Sequence, residues 1–192
     1  MKICVYGAAS AKIDEKYIKA VEDMGRKLAA RGHDLVFGAG GSGLMGAAAR
    51  GVHEGGGDIT GVIPTFFLEQ DVEIVFDECD KVIYTRDMRD RKEKMEELSD
   101  AFIMVPGGIG TFEEFFEILT AKQLGQHKKC IAVYDIDGYF DELQGMMEHA
   151  MRTYFVNEEC RELYHLFTDT DELFDYIENY KELELGIDEL KK

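Results

Sequence analysis

The sequence predicts an α/β protein: a Rossmann-like, doubly wound and mainly parallel sheet with helices on both faces. Three observations carry that expectation. Short apolar runs of strand length alternate with longer amphipathic stretches, the pattern of repeated β-α-β units. Two of the runs open into glycine-rich turns followed by helical periodicity, at Gly38-Ala39-Gly40-Gly41-Ser42-Gly43 and at Pro106-Gly107-Gly108-Ile109-Gly110. No linker, repeat or low-complexity segment divides the 192 residues, a length suited to one domain with a sizeable core. The domain is expected over 1–180, with a charged and partly frayed tail over 181–192.

In chain order, Ile3-Cys4-Val5-Tyr6 reads as a strand and Gly7-Ala8-Ala9-Ser10 as a small-residue turn. Ile18, Val21, Leu28 and Ala29 give an amphipathic helix over 16–30, ended by Arg31-Gly32. Asp34–Phe37 is the next strand, and this β-α-β unit implies parallel pairing. The first glycine loop follows, then an Ala-rich helix to about Glu54, stopped by Gly55-Gly56-Gly57. Ile59–Ile63 is a strand closed by Pro64. Residues 65–80 lack firm periodicity, carry Glu69, Asp71 and Glu73, and read as a loop or short helix near the strand ends. Lys81–Tyr84 is a strand, a helix starts at Asp87, and 101–105 is a buried strand. After the second glycine turn a helix runs to about Leu124-Gly125. A strand over 130–134, a helix over 138–152, a short strand over 163–168 and a helix over 171–180 complete the pattern.

The net charge of −17 speaks against nucleic acid and anionic membrane as partners, because phosphate backbones need clustered Lys and Arg. A small anion remains compatible, held by a local positive site. Cys4, Cys79, Cys130 and Cys160 are far apart, which points to a reducing cytoplasm and no structural zinc. The five histidines show no metal-ligand spacing. No apolar run reaches membrane-spanning length, and the residues after Lys2 read as a strand rather than a secretory leader.

The turn at 106–110 lies between a buried strand and a helix whose stripe is Phe112, Phe115, Phe116 and Leu119. A helix start offers unpaired N–H groups and the positive end of the dipole, which suit a phosphate. Gly107, Gly108 and Gly110 let backbone approach such a ligand. A second reading stands beside it: Thr111 and Glu114 have capping-box spacing, so Glu114 would merely tie off the helix. The turn has neither the Lys-Ser/Thr of a Walker loop nor the spacing of the dinucleotide fingerprint. The loop at 38–46 has two readings as well: backbone brought close to a ligand, with Gly40 and Gly41 nearest, or tight helix–sheet packing. On the helix after Asp87, Arg91 falls on the apolar stripe of Met88, Met95 and Leu98. A guanidinium facing inward needs a carboxylate or a phosphate. Lys92 lies beside the stripe, and the bland reading of Arg91 is a buried ion pair between helices.

Together these motifs resemble the Lonely Guy (LOG) family of cytokinin riboside 5′-monophosphate phosphoribohydrolases, often mislabelled lysine decarboxylases. Residues 106–114 match its P-G-G-x-G-T-x-x-E signature. Gly43-Leu44-Met45-Gly46, Gly61-Val62-Ile63-Pro64, the Met88–Met95 segment, Gln123-Leu124-Gly125 with His127 and Lys129, and Asp137-Gly138-Tyr139-Phe140 are also similar to it. The likeness spans roughly 3–180. It implies a Rossmann-like homodimer with its site close to the subunit interface, acting on a small-molecule nucleoside monophosphate without metal or redox cofactor. Arg91 and Glu114 match the catalytic pair, and Gly108, Gly110 and Thr111 the phosphate-binding turn. Lys92 and Thr120 match further ligand-contacting positions. Met88, Gly107, Ile109 and Glu113, which belong to the same motifs, join the expected substrate-binding set. A family Glu falls at Asp71 here, or at Glu69 under another alignment. The family often has Trp where Lys122 stands and Pro where Cys130 stands.

The implied reaction cleaves the N-glycosidic bond of a purine nucleoside 5′-monophosphate, with N6-prenylated adenine among the candidate bases. Charge develops on the sugar, and a carboxylate beneath it stabilises the cation and activates water. Glu114 would serve there, oriented by Arg91, with Glu113 as an exposed neighbour or a ribose ligand. Two rival readings remain: a non-catalytic nucleotide or cofactor carrier on the same fold, and a pyridoxal-dependent decarboxylase, which needs a Schiff-base lysine near a phosphate cup.

Overall fold

A computed structural model describes residues 1–70 and 74–191 of the chain. The elements run β1 (Lys2–Tyr6), α1 (Glu15–Ala30), β2 (Asp34–Phe37), α2 (Gly43–Gly55), β3 (Ile59–Pro64), α3 (Thr65–Glu69), β4 (Lys81–Thr85) and α4 (Met88–Leu98). They continue with β5 (Ala101–Met104), α5 (Ile109–Gln123), β6 (Cys130–Tyr134), α6 (Asp141–Arg152), a 3-10 turn (Glu158–Leu163), β7 (His165–Phe167), α7 (Thr170–Glu178) and α8 (Ile187–Lys191). The seven strands form one sheet in the order β4-β3-β2-β1-β5-β6-β7, and every neighbouring pair is parallel.

Parallel strands need covered faces, and the alternation within each strand serves both. Ile3, Val5, Leu35, Phe37, Ala101 and Ile103 point to one layer with α1, α2 and α7. Cys4, Tyr6, Val36, Phe102 and Met104 point to the other, with α4, α5 and α6. The sheet reverses its winding at β1, which pairs β2 on one side and β5 on the other; Ile3 sits opposite Ala101. In such sheets the crevice at the carboxyl ends of the two diverging strands is the place for a ligand. Here the flanking turns are Gly7–Ser10 after β1 and Pro106–Gly108 after β5.

Two elements depart from the sequence expectation. α6 starts at Asp141 rather than at Gly138, because Asp137 and Gly138 are left-handed (φ 56° and 68°) and Phe140 N–H donates to Asp135 Oδ1 at 2.9 Å. The charged tail is docked rather than frayed. Leu190 of α8 is 3% exposed, and Gln123 Nε2 and Asn157 Nδ2 donate to the carbonyls of Leu190 and Glu189 at 3.0 and 2.9 Å. Scattered leucines among many charges were enough to seat it.

Lys122, near the end of α5, is buried, and its Nζ donates to the Leu163 carbonyl at 2.7 Å. Burial pushes its ammonium down to about 8. Between that value and the ordinary lysine range the unfolded chain binds more protons, so stability rises with pH across the window. Urea unfolding is expected to show the wild-type chain gaining about 1–2 kcal/mol between about pH 7.5 and about pH 9.5, relative to Lys122→Met, which lacks the titrating group. Equal pH slopes for the two proteins would contradict this assignment.

Candidate active site

A cleft of about 440 Å³ opens at the β1–β5 reversal. Its wall begins with Gly7, Ala8, Ala9 and Ser10, the turn after β1. Met45 of α2, Phe67 of α3, and Met88 and Arg91 of α4 form one side. Gly108, Gly110, Thr111, Glu113 and Glu114, from the turn after β5 and the first turns of α5, form the other.

α5 begins at Ile109 with Gly108 as its N-cap, and no side chain caps it. The capping box that the spacing suggested therefore does not form: Thr111 lies inside the first turn rather than at the N-cap. The glycines of the turn differ in purpose. At Gly107 a Cβ would overlap the side chain of Thr111, so packing demands glycine there. At Gly108 and Gly110 a Cβ would meet nothing within 4 Å beyond its chain neighbours and its own helix backbone. Packing within the chain does not account for those two, and both line the cleft. With the helix dipole behind them they leave a helix start whose N–H groups are suited to an anion.

The loop at 38–46 is different. A Cβ at Gly38 would overlap the Arg91 guanidinium, and one at Gly46 would overlap the Gly41 carbonyl. Gly43 has φ +60° and lies against the backbone of Ala8 and Ala9. Gly41 N–H donates to the Ile74 carbonyl at 2.7 Å, and Gly40 bridges Val75. Close packing accounts for this loop, and Gly40 and Gly41 do not stand among the cleft residues.

Arg91 is buried (4% exposed) and aimed at the sheet. Its Nη2 donates to the Gly38 carbonyl at 2.9 Å and its Nε to the Val62 carbonyl at 3.1 Å. The Phe67 ring centroid lies 5.5 Å from the guanidinium carbon, within cation–π range. The sequence argument asked for a carboxylate or phosphate; the structure supplies first the carbonyl just past β2 and one within β3, while Nη1 donates to Met88 Sδ at 3.7 Å and the head borders the cleft that Glu114 also lines. Beneath them, burial and then the charges of Cys4 and Glu114 push the Tyr6 phenol well above its ordinary range.

The remaining expected residues divide. Met88 and Glu113 line the cleft. Lys92 does not; its Nζ pairs with Glu113 and with Glu117, the latter at 2.7 Å. Burial alone would depress that ammonium, but the two carboxylates outweigh it and hold it above the ordinary lysine value. Ile109 is 88% exposed and does not stand among the cleft residues. Thr120 sits further along α5, in a separate apolar pocket of about 170 Å³ with Phe116, Gln123 and Met147. Asp71 lies outside the described residues, and Glu69 is exposed at the end of α3. Sequence reasoning missed Gly7–Ser10, Met45 and Phe67 as cleft residues. Their signal was a run of small residues after the first strand, and the aromatic pair Phe66-Phe67 one residue past Pro64.

Comparison with known proteins adds to this geometry. A family model described as possible lysine decarboxylase matches residues 45–177. The chain is 36% identical over 179 residues to the cytokinin riboside 5′-monophosphate phosphoribohydrolase LOG3 of Arabidopsis thaliana, covering 93% of this chain and 82% of that protein. It is 35% identical over 187 residues to the cytokinin riboside 5′-monophosphate phosphoribohydrolase LOG of Oryza sativa subsp. japonica, covering 97% and 76%. Among solved structures, the molybdenum cofactor carrier protein from Chlamydomonas reinhardtii matches with a TM-score of 0.68 at 21% identity, covering 92% of this chain and 95% of that one. At that identity the likeness speaks for the fold alone.

The Gly38–Arg91 contact is open to a double-mutant test. Gly38→Ala is expected to destabilise the chain by about 2 kcal/mol, because the added methyl displaces the guanidinium. Adding Arg91→Ala removes the clash, so chemical denaturation of the double variant should show a coupling of at least about 1 kcal/mol. Simple additivity would mean that the two positions do not constrain each other.

Proposed function

The chain belongs to the LOG family, and on that premise we propose that its cleft hydrolyses the N-glycosidic bond of purine nucleoside 5′-monophosphates, giving free base and ribose 5-phosphate. The observation that carries the reading is the placement of Arg91 and Glu114 in one cleft with Gly108 and Gly110, two glycines that protein packing does not require. The 5′-phosphate lies on the start of α5, against the N–H groups and the Thr111 hydroxyl. The anomeric carbon then faces Glu114, a little further along the same helix. As the C1′–N bond stretches, positive charge grows on the sugar and Glu114 stabilises it. Glu114 takes a proton from the attacking water, whose oxygen bonds to C1′; the base leaves with the bonding electron pair and gains a proton. Arg91, fixed by its two carbonyls, orients substrate and carboxylate. Glu113, paired with Lys92 at the rim, is placed for the ribose hydroxyls.

The base lies toward Met45, Phe67 and Met88, an apolar end that admits adenine and tolerates an N6-alkyl group. The volume falls within the usual range for a small-molecule site. A cytoplasmic homodimer completes the proposal. Among the described residues no helix is long and apolar enough to cross a membrane.

The pyridoxal reading fits the residues poorly. A Schiff-base lysine needs a depressed amine beside the phosphate bed. Lys92 is held up by its carboxylates, and Lys122, the depressed one, is buried against Leu163 away from the cleft. A carrier of the same fold would use the anion bed but give Glu114 no task.

Glu114→Ala is expected to lower adenine release from AMP by about 10²–10⁴-fold, while the AMP dissociation constant stays within about tenfold. Chromatography of the products and calorimetric titration measure the two separately. Near-wild-type turnover by this variant would overturn the catalytic assignment. The same product assay over AMP, isopentenyl-AMP, GMP and CMP is expected to favour the adenine nucleotides.

A further inference from the structure

The Asp137-Gly138-Tyr139-Phe140 segment takes no part in the chemistry above, yet it reaches the anion bed. Tyr139 Oη donates to the Gly107 carbonyl at 2.7 Å. We infer that Tyr139 is a positioning residue that aims the Gly108 N–H at the substrate phosphate, an inference that rests on the phosphate reading of this turn.

The argument is one of peptide geometry. The described chain has no cis peptide bond. In a trans peptide the C=O of one residue and the N–H of the next point in opposite directions across a rigid plane. Whatever holds the Gly107 carbonyl therefore sets the direction of the Gly108 N–H. Tyr139 holds that carbonyl from the side of a small pocket formed with Ala8, Ile13, Tyr17, Leu44 and Pro106. Gly108 borders both that pocket and the cleft. The peptide before it is fixed in the same manner, by Ala8 N–H on the Pro106 carbonyl at 3.1 Å. Two successive carbonyls are thus tied to protein groups, and a glycine turn that would otherwise sample many conformations is held in one.

Tyr139 is itself held. Asp137 and Gly138 turn the chain through left-handed conformations, and the Tyr139 N–H donates to the Ile136 carbonyl at 3.2 Å. Asp137 pairs with Lys16 of α1 at 2.6 Å. The Tyr17 and Phe140 rings meet the Tyr139 ring edge-on, at 6.1 and 5.0 Å between centroids. The hydroxyl is therefore presented at a set height, and the phenylalanine variant removes it with the ring kept.

Calorimetric titration of the full-length wild-type and Tyr139→Phe chains with ribose 5-phosphate tests this. The dissociation constant is expected to rise about tenfold in the variant, a fraction of what a charge-assisted hydrogen bond supplies. The amide resonance of Gly108 is expected to shift on ribose 5-phosphate addition in the wild type and to respond weakly in the variant, which a general loss of stability would not produce. Affinities within twofold of each other, or an equal Gly108 response in both proteins, would overturn the inference. A wild-type chain that does not bind ribose 5-phosphate overturns it together with the phosphate reading. Binding with the expected difference, but no adenine released from AMP, supports the inference and refutes only the hydrolase reading.

Discussion

The buried guanidinium of Arg91 constrains the site more than any other group. A charge with 4% exposure is tolerable only if its donors are met, and two of them are met by the carbonyls of Gly38, just past β2, and Val62, within β3. That requirement explains Gly38, which must lack a side chain to admit the head group. It explains why α4 carries an arginine on an otherwise apolar stripe. It also fixes the arginine relative to the sheet rather than to a mobile side chain, so whatever the cleft binds meets a cation already in place.

The two glycine loops look alike on paper and divide the labour in space. The loop at 38–46 is packed against Ala8, Ala9, Arg91 and Ile74, and its glycines relieve contacts inside the protein. The turn at 107–110 has one glycine of that kind, Gly107, and two whose Cβ would stand in open space. Only the second loop has glycines at the cleft that packing inside the chain does not explain. The rim is arranged around the same distinction. Lys92 is committed to Glu113 and Glu117, so the positive groups that line the cleft itself are the start of α5 and Arg91, in a chain of net charge −17.

Much of this was legible in the residues. The strands at 34–37 and 130–134 lie where apolar runs put them, because a strand covered on both faces reads as an unbroken apolar stretch. Arg91 was legible because a charge breaks a stripe. The capping box at Thr111 was a false signal: spacing alone cannot tell a helix that starts at its threonine from one that starts at Ile109. Ser10 and Phe67 stayed hidden because their part depends on which turns the sheet order brings together, and non-local pairing has no local signature. Thr120 was read from a motif whose helix carries it away from the cleft. The docked tail was hidden by its charge, since Leu190 alone supplies the buried contact of α8.

The placement of β1 also bears on how the chain must be built. It is the middle strand, and on one side its neighbour is β5, with Ile3 opposite Ala101 and Tyr6 opposite Met104, so the centre of the sheet joins segments made at quite different times. As the ribosome extends the chain, β1, β2 and β3 can associate early, but one edge of β1 stays open until β5 has left the exit tunnel. Contacts of such long sequence separation form slowly and leave apolar edges exposed meanwhile. The crevice between β1 and β5 is therefore among the last features to exist in a newly synthesised molecule, and a ribosome stalled before β5 emerges would hold half a sheet with no cleft.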